Sequence, residues 1–75
     1  MAKKEYKFTV VVERDEDGRF VASCPALQGC YTEGESYEEA MANVKDAIDL
    51  AIASRLDVGD PIPEEVGTTQ VKIAV

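Results

Sequence analysis

Histidine is absent from this sequence of 75 residues, and cysteine is confined to Cys24 and Cys30. Two thiols without histidine are too few for a structural zinc site, which takes four Cys or His ligands, so neither a metal nor another cofactor is expected. Long apolar runs are missing as well. No stretch approaches the roughly 20 apolar residues that cross a bilayer, and the apolar residues after Met1-Ala2-Lys3-Lys4-Glu5 alternate with polar ones instead of forming a leader core. A cytoplasmic protein without membrane association is therefore expected, with two small buried thiols; oxidative pairing of Cys24 with Cys30 across neighbouring strands is the alternative. Basic residues are also scarce: 8 Lys and Arg stand against 15 Asp and Glu, giving a formal charge of -7. Scattered cations do not make a nucleic-acid surface. The acidity suits a basic partner, or simply maintains solubility.

What the sequence does contain is one domain, residues 1–75. A chain this short buries only about 60% of its unfolded surface, so its core is marginal alone and a homodimer or higher homo-oligomer is expected. Its organising stretch runs from Cys24 to Glu39. Pro25 lacks an N–H and ends a strand, Gly29 and Gly34 bracket a short extended segment, and Ser36 with Glu39 forms a capping box that opens a helix.

Before that stretch, Tyr6, Phe8, Val10 and Val12 alternate with Lys7, Thr9, Val11 and Glu13, which predicts strand one over Glu5 to Glu13 with one buried face. Asp15-Glu16-Asp17-Gly18 is a turn. Closing it with Gly18 as a left-handed bulge sets Arg14 against Phe20, Val12 against Ala22 and Val10 against Cys24, gathering the apolar residues on one side. Strand two is then Arg19 to Cys24. In the following loop Leu27 either plugs the end of the core or waits for a partner. Strand three, Cys30 to Glu33, is short enough for a sheet edge.

The helix from Tyr37 to about Leu56 carries Ala40, Met41, Val44, Ala47, Ile48, Ala51 and Ile52 at helical spacing, with Glu38, Glu39, Asn43, Asp46 and Asp49 opposite. Gly59, Pro61 and Pro63 stop it. Thr68 to Val75 alternates Val71, Ile73 and Val75 with Gln70, Lys72 and Ala74 and reads as a fourth strand. A right-handed crossover through the helix places that strand beside strand one. The expected fold is α+β, β-β-β-α-β, a four-stranded mixed sheet of order 3-2-1-4 with the helix on one face. Val71, Ile73 and Val75 would form an exposed edge suited to pairing with another copy.

These residues resemble the HicB-like antitoxins of prokaryotic HicA–HicB toxin–antitoxin systems, in their single-domain form. The resemblance rests on Val10-Val11-Val12-Glu13 before Asp15-Glu16-Asp17-Gly18, on Pro25-Ala26-Leu27-Gln28-Gly29-Cys30 followed by Thr32, Gly34 and Ser36, and on Glu38-Glu39-Ala40 opening a helix that contains Ala47-Ile48. It implies a reduced ribonuclease-H-like fold and a non-enzymatic role: binding and inhibiting HicA, a small basic toxin that cleaves mRNA. Longer relatives add a C-terminal DNA-binding domain. The sequence ends at Val75, so direct operator binding is not expected.

Candidate partner contacts are Leu27 and Tyr31 near the loop and Glu39, Asp46, Asp49 and Leu50 on the outer helix face, where charge steers and the apolar groups anchor. A stand-alone oligomeric scaffold or small-ligand-binding module of the same fold is the alternative. A metal-dependent nuclease would need clustered carboxylates, and Glu13, Asp15 and Asp17 instead crowd a strand end and its turn.

Overall fold

The computed structural model describes residues 5–75; the reading of Met1 to Lys4 lies outside them. Three strands and one helix follow in order: β1 (Val11–Arg14), β2 (Phe20–Ser23), β3 (Tyr31–Gly34) and α1 (Tyr37–Val58). The sheet is antiparallel throughout, with strand order β1-β2-β3.

The first hairpin has the register that the apolar pattern requires, with Arg14 opposite Phe20 and Val12 opposite Ala22. Gly18 has φ 81° and closes the bulge, a conformation that a side chain would strain. The turn is held by the Gly18 N–H on the Asp15 carbonyl at 3.1 Å and the Asp15 N–H on the Arg19 carbonyl at 2.9 Å. An Asp15 carboxylate oxygen accepts from the N–H groups of Asp17 and Arg19, at 3.0 and 2.9 Å. That carboxylate therefore serves the turn itself.

β1 begins at Val11, later than the alternation of residues 5–13 suggests. Continued backwards, the β1–β2 register sets Thr9 opposite Pro25, which has no N–H to donate, so pairing stops although residues 5–10 carry the strand pattern. Thr9 finds a different partner. Its N–H donates to both carboxylate oxygens of Glu65, at 2.8 and 3.0 Å, and its hydroxyl to one of them at 2.8 Å.

α1 starts at the capping serine: the Ser36 hydroxyl accepts the Glu39 N–H at 3.1 Å, and Glu39 reaches back to the Glu35 N–H at 3.3 Å. It runs two residues past the expected Leu56, ending where Gly59 turns left-handed at φ 76°. There the Asp60 N–H reaches the Arg55 carbonyl at 2.9 Å, satisfying one of the helix's last carbonyls. α1 packs across β3 and β2. Ala22, Ala40 and Val44 form the buried centre, with Val10, Val12, Phe20, Met41 and Ile48 against them.

The expected fourth strand over Thr68–Val75, and with it the order 3-2-1-4, is not part of this sheet; residues 60–75 carry no strand. Among the described residues no backbone hydrogen bond joins residues 66–75 to β1. The cause is visible at Glu65. Its clamp on Thr9 leads the chain past Val11 and Pro25, on the sheet face turned away from α1, instead of along the open edge of β1.

Candidate partner-binding face

Two tight turns shape the loop between β2 and β3. The Leu27 N–H donates to the Cys24 carbonyl at 3.0 Å, the Cys30 N–H to the Leu27 carbonyl at 3.1 Å, and Gly29 takes φ 77°. The Cys24 N–H then reaches the Cys30 carbonyl at 2.9 Å, so the two cysteines face one another across the strand pair. This folding drives Leu27 inward. It is 2% exposed and packs with Cys24, Cys30, Ala47, Ile48, Ala51 and Ile52. Leu27 is thus the plug of the core and leaves the set of contact residues: a loop side chain this apolar gains more from the helix than from water.

With the loop fixed against α1, Tyr31 stands opposite Leu50. Both are exposed, at 64% and 73%. They line a groove of about 240 Å³ together with Gln28, Gly29, Cys30, Ala47, Ala51 and Ser54. The groove exists because the helix lines it with alanine, where larger residues would fill it. The sequence signal for it is a pair of alanines four apart, Ala47 and Ala51, beside Leu50.

Helical spacing sorts the acidic residues about this groove. Glu39, Asp46 and Asp57 fall within about one-ninth of a turn of Leu50, along the same stripe. All three are exposed. Asp49 does not join them. It lines a second groove, of about 320 Å³, on the β1 side of the helix with Tyr6, Phe8, Ile48, Ile52, Ala53 and Leu56. The arginines are engaged elsewhere: Arg14 lies 4.8 Å above the Phe20 ring, Arg19 is 3.5 Å from the Glu33 carboxylate, and Arg55 donates to the Pro61 carbonyl at 3.0 Å. The Tyr31–Leu50 groove is itself lined without a carboxylate, and the exposed acids Glu39, Asp46 and Asp57 follow the helix stripe that carries Leu50, outside that lining.

Burial pushes the Cys30 thiol above its ordinary pKa, and the neighbouring Cys24 adds to the shift. A thiol held protonated is a poor nucleophile and a poor metal ligand at neutral pH. Both cysteines are free. Among the described residues no three or more His, Cys, Asp or Glu side chains gather as a metal ion would require. No helix of the described residues is long and apolar enough to cross a membrane.

The chain is a small α+β protein with one helix on a three-stranded antiparallel sheet and open grooves on either side of that helix. The chain belongs to the HicB-like antitoxin family: a family model described as the HicB_like antitoxin of bacterial toxin-antitoxin system matches residues 8–73. It is 41% identical over 63 residues to a UPF0150 protein of Synechocystis sp., covering 84% of this chain and 80% of the relative. A UPF0150 protein of Archaeoglobus fulgidus is 40% identical over 67 residues, covering 89% and 94% of the two chains. One from Thermoplasma acidophilum is 42% identical over 59 residues, covering 79% and 86%.

Proposed function

We propose that this chain is an antitoxin that binds and inhibits a small basic HicA-type mRNA-cleaving toxin in the cytoplasm, without catalysis of its own. The observation that carries the reading is the match to the HicB-like antitoxin family over residues 8–73. The surface agrees with it. A toxin that holds RNA presents cations for phosphates, and a protein of charge -7 with exposed carboxylates on the helix stripe that carries Leu50 can occupy their place. Tyr31 and Leu50 supply the anchors, and Glu39 and Asp46 steer; Asp49 contributes through the general field. The ribonuclease-H-like arrangement belongs to the same proposal, with a fourth strand seated beside β1.

The test is coexpression and pull-down with a basic protein encoded next to this chain, followed by RNA cleavage by that protein with and without its partner. Binding that abolishes cleavage is the expected result. Leu50→Ala should weaken the complex by about tenfold, the effect of removing a modest interface anchor. Asp46→Lys should slow association at low salt, more than Asp49→Lys does, and added salt should narrow the difference. A neighbour that neither binds nor loses activity refutes the reading.

A further inference from the structure

The β1 side of the molecule is unfinished in two ways. Because Asp15 bonds to β2 through its N–H, the alternation of an antiparallel ladder turns the backbone groups of Val10, Val12 and Arg14 toward an edge that no strand pairs among the described residues. Upstream of that edge, between residues 6–8 and the second half of α1, lies the mainly apolar groove of about 320 Å³ lined by Tyr6, Phe8, Ile48, Asp49, Ile52, Ala53 and Leu56. An open edge beside an apolar groove is the seat of a missing strand.

The molecule also carries a strand without a seat. Val71, Ile73 and Val75 are exposed, the first two at 75% and 72%, and alternate with Gln70, Lys72 and Ala74. The radius of gyration, 14.3 Å, exceeds the roughly 11 Å of a compact chain of this length. This tail cannot readily fill its own groove. Glu65 pins it at Thr9, and Thr68, Thr69 and Gln70 continue past Thr9, Val11 and Pro25, on the sheet face turned away from the helix.

We propose that a second copy of this chain supplies the strand: residues 68–75 of each protomer add to the β1 edge of the other. Val71, Ile73 and Val75 enter the partner's groove against Phe8, Ile52 and Leu56. Lys72 falls on the opposite face, the one that carries Glu13. Three apolar side chains from each protomer, at about 60–120 Å² apiece with comparable area on the acceptor, bury on the order of 1,000 Å², enough for a specific interface. The proposal does not depend on toxin binding and fails separately from it.

Ile73→Asp and Leu56→Asp test it, since both side chains are exposed in the single chain and neither substitution disturbs its core. Light scattering behind size exclusion should show the wild-type chain as a dimer across micromolar concentrations. Each variant should raise the dimer dissociation constant by about 100-fold or more. Mixing them is the discriminating step. The Ile73→Asp protomer keeps a working groove and the Leu56→Asp protomer a working tail, so the mixture regains a heterodimer with one intact seat. A monomeric wild type, a dimer indifferent to Ile73→Asp, or a mixture that stays dissociated overturns strand exchange; pairing of tail with tail would leave Leu56→Asp dimeric.

Discussion

Gly34→Ala should separate the helix from the sheet. A Cβ placed on Gly34 lies 2.6 Å from the Ala40 nitrogen, 3.1 Å from the Ala40 Cα and 3.1 Å from the Glu39 carbonyl carbon. Heavy atoms of this kind sit at about 3.5–4.0 Å, so the first turn of α1 must retreat by on the order of 1 Å. Nothing flexible is there to yield, because every atom met is backbone. Retreat stretches the Thr32 hydroxyl's bond to the Ala40 carbonyl, now 3.2 Å, and the Asn43 amide's bond to the Glu33 carbonyl, now 3.0 Å. It also loosens Ala40 and Val44 from Ala22. Overpacking with these losses costs about 2–4 kcal/mol. Opposing it, Gly34 has no positive φ, so alanine narrows the unfolded ensemble and returns about 0.4–1 kcal/mol. The net loss is about 1–3 kcal/mol from a chain whose whole stability is on the order of 4–11 kcal/mol. With a urea slope near 1 kcal/mol/M for so small a protein, the midpoint followed by far-UV circular dichroism should fall by about 1–3 M. A midpoint unchanged or raised refutes the close approach, because only the entropic gain would then remain.

Two further perturbations probe the loop plug and its thiols. Leu27→Ala removes three carbons from the core at about 0.8 kcal/mol each and leaves part of a cavity, a loss of about 2–4 kcal/mol in urea titration; a loss under about 1 kcal/mol would mean that the loop does not pack inward. Because the folded state holds the Cys30 proton more tightly than the unfolded chain, its share of stability is intact below the ordinary thiol pKa of about 8.5 and is lost as pH rises through the raised folded value. Urea midpoints should therefore decline at alkaline pH less steeply in Cys30→Ala than in the wild type, and equal slopes would remove Cys30 as the cause.

The hairpin register was legible because two requirements coincide in it: Gly18 is the residue that tolerates the bulge, and only that closure sets Val12 against Ala22. Ser36 announced the helix for a similar reason, a local bond that the sequence specifies by itself. The length of β1 was not legible from its own residues. Its alternation runs from Tyr6 onward, broken only by Val11 on the polar side, yet pairing depends on what lies opposite, and there Pro25 ends it. Gly34 looks like punctuation in the sequence, whereas its work is to admit the helix backbone, a contact set by tertiary approach. Among the candidate contacts, spacing places Asp46 and Asp49 together as acids of the outer helix, whereas the structure divides them. Asp46 keeps to the Leu50 stripe. Asp49 lines the other groove, with Tyr6 and Phe8.

The tail shows the limit of periodicity most plainly. Alternation of Val71, Ile73 and Val75 with polar residues defines how a segment will bury one face, and says nothing about which sheet receives it. Within one chain the crossover rule favours the near edge of β1, and that inference produced the order 3-2-1-4. The rule presumes a linker free to reach that edge. Here three hydrogen bonds from Thr9 to Glu65 tie the linker down, and the residues that follow it run beside Val11 and Pro25. The same local clamp that denies β1 its own fourth strand leaves the edge open, the groove beside it empty of the tail, and the tail exposed. If the clamp is the cause, Glu65→Ala should free the tail to close onto its own β1, and the dimer should give way to a more compact monomer. A Glu65→Ala chain that remains as dimeric as the wild type would show that the choice between the two seats is made elsewhere.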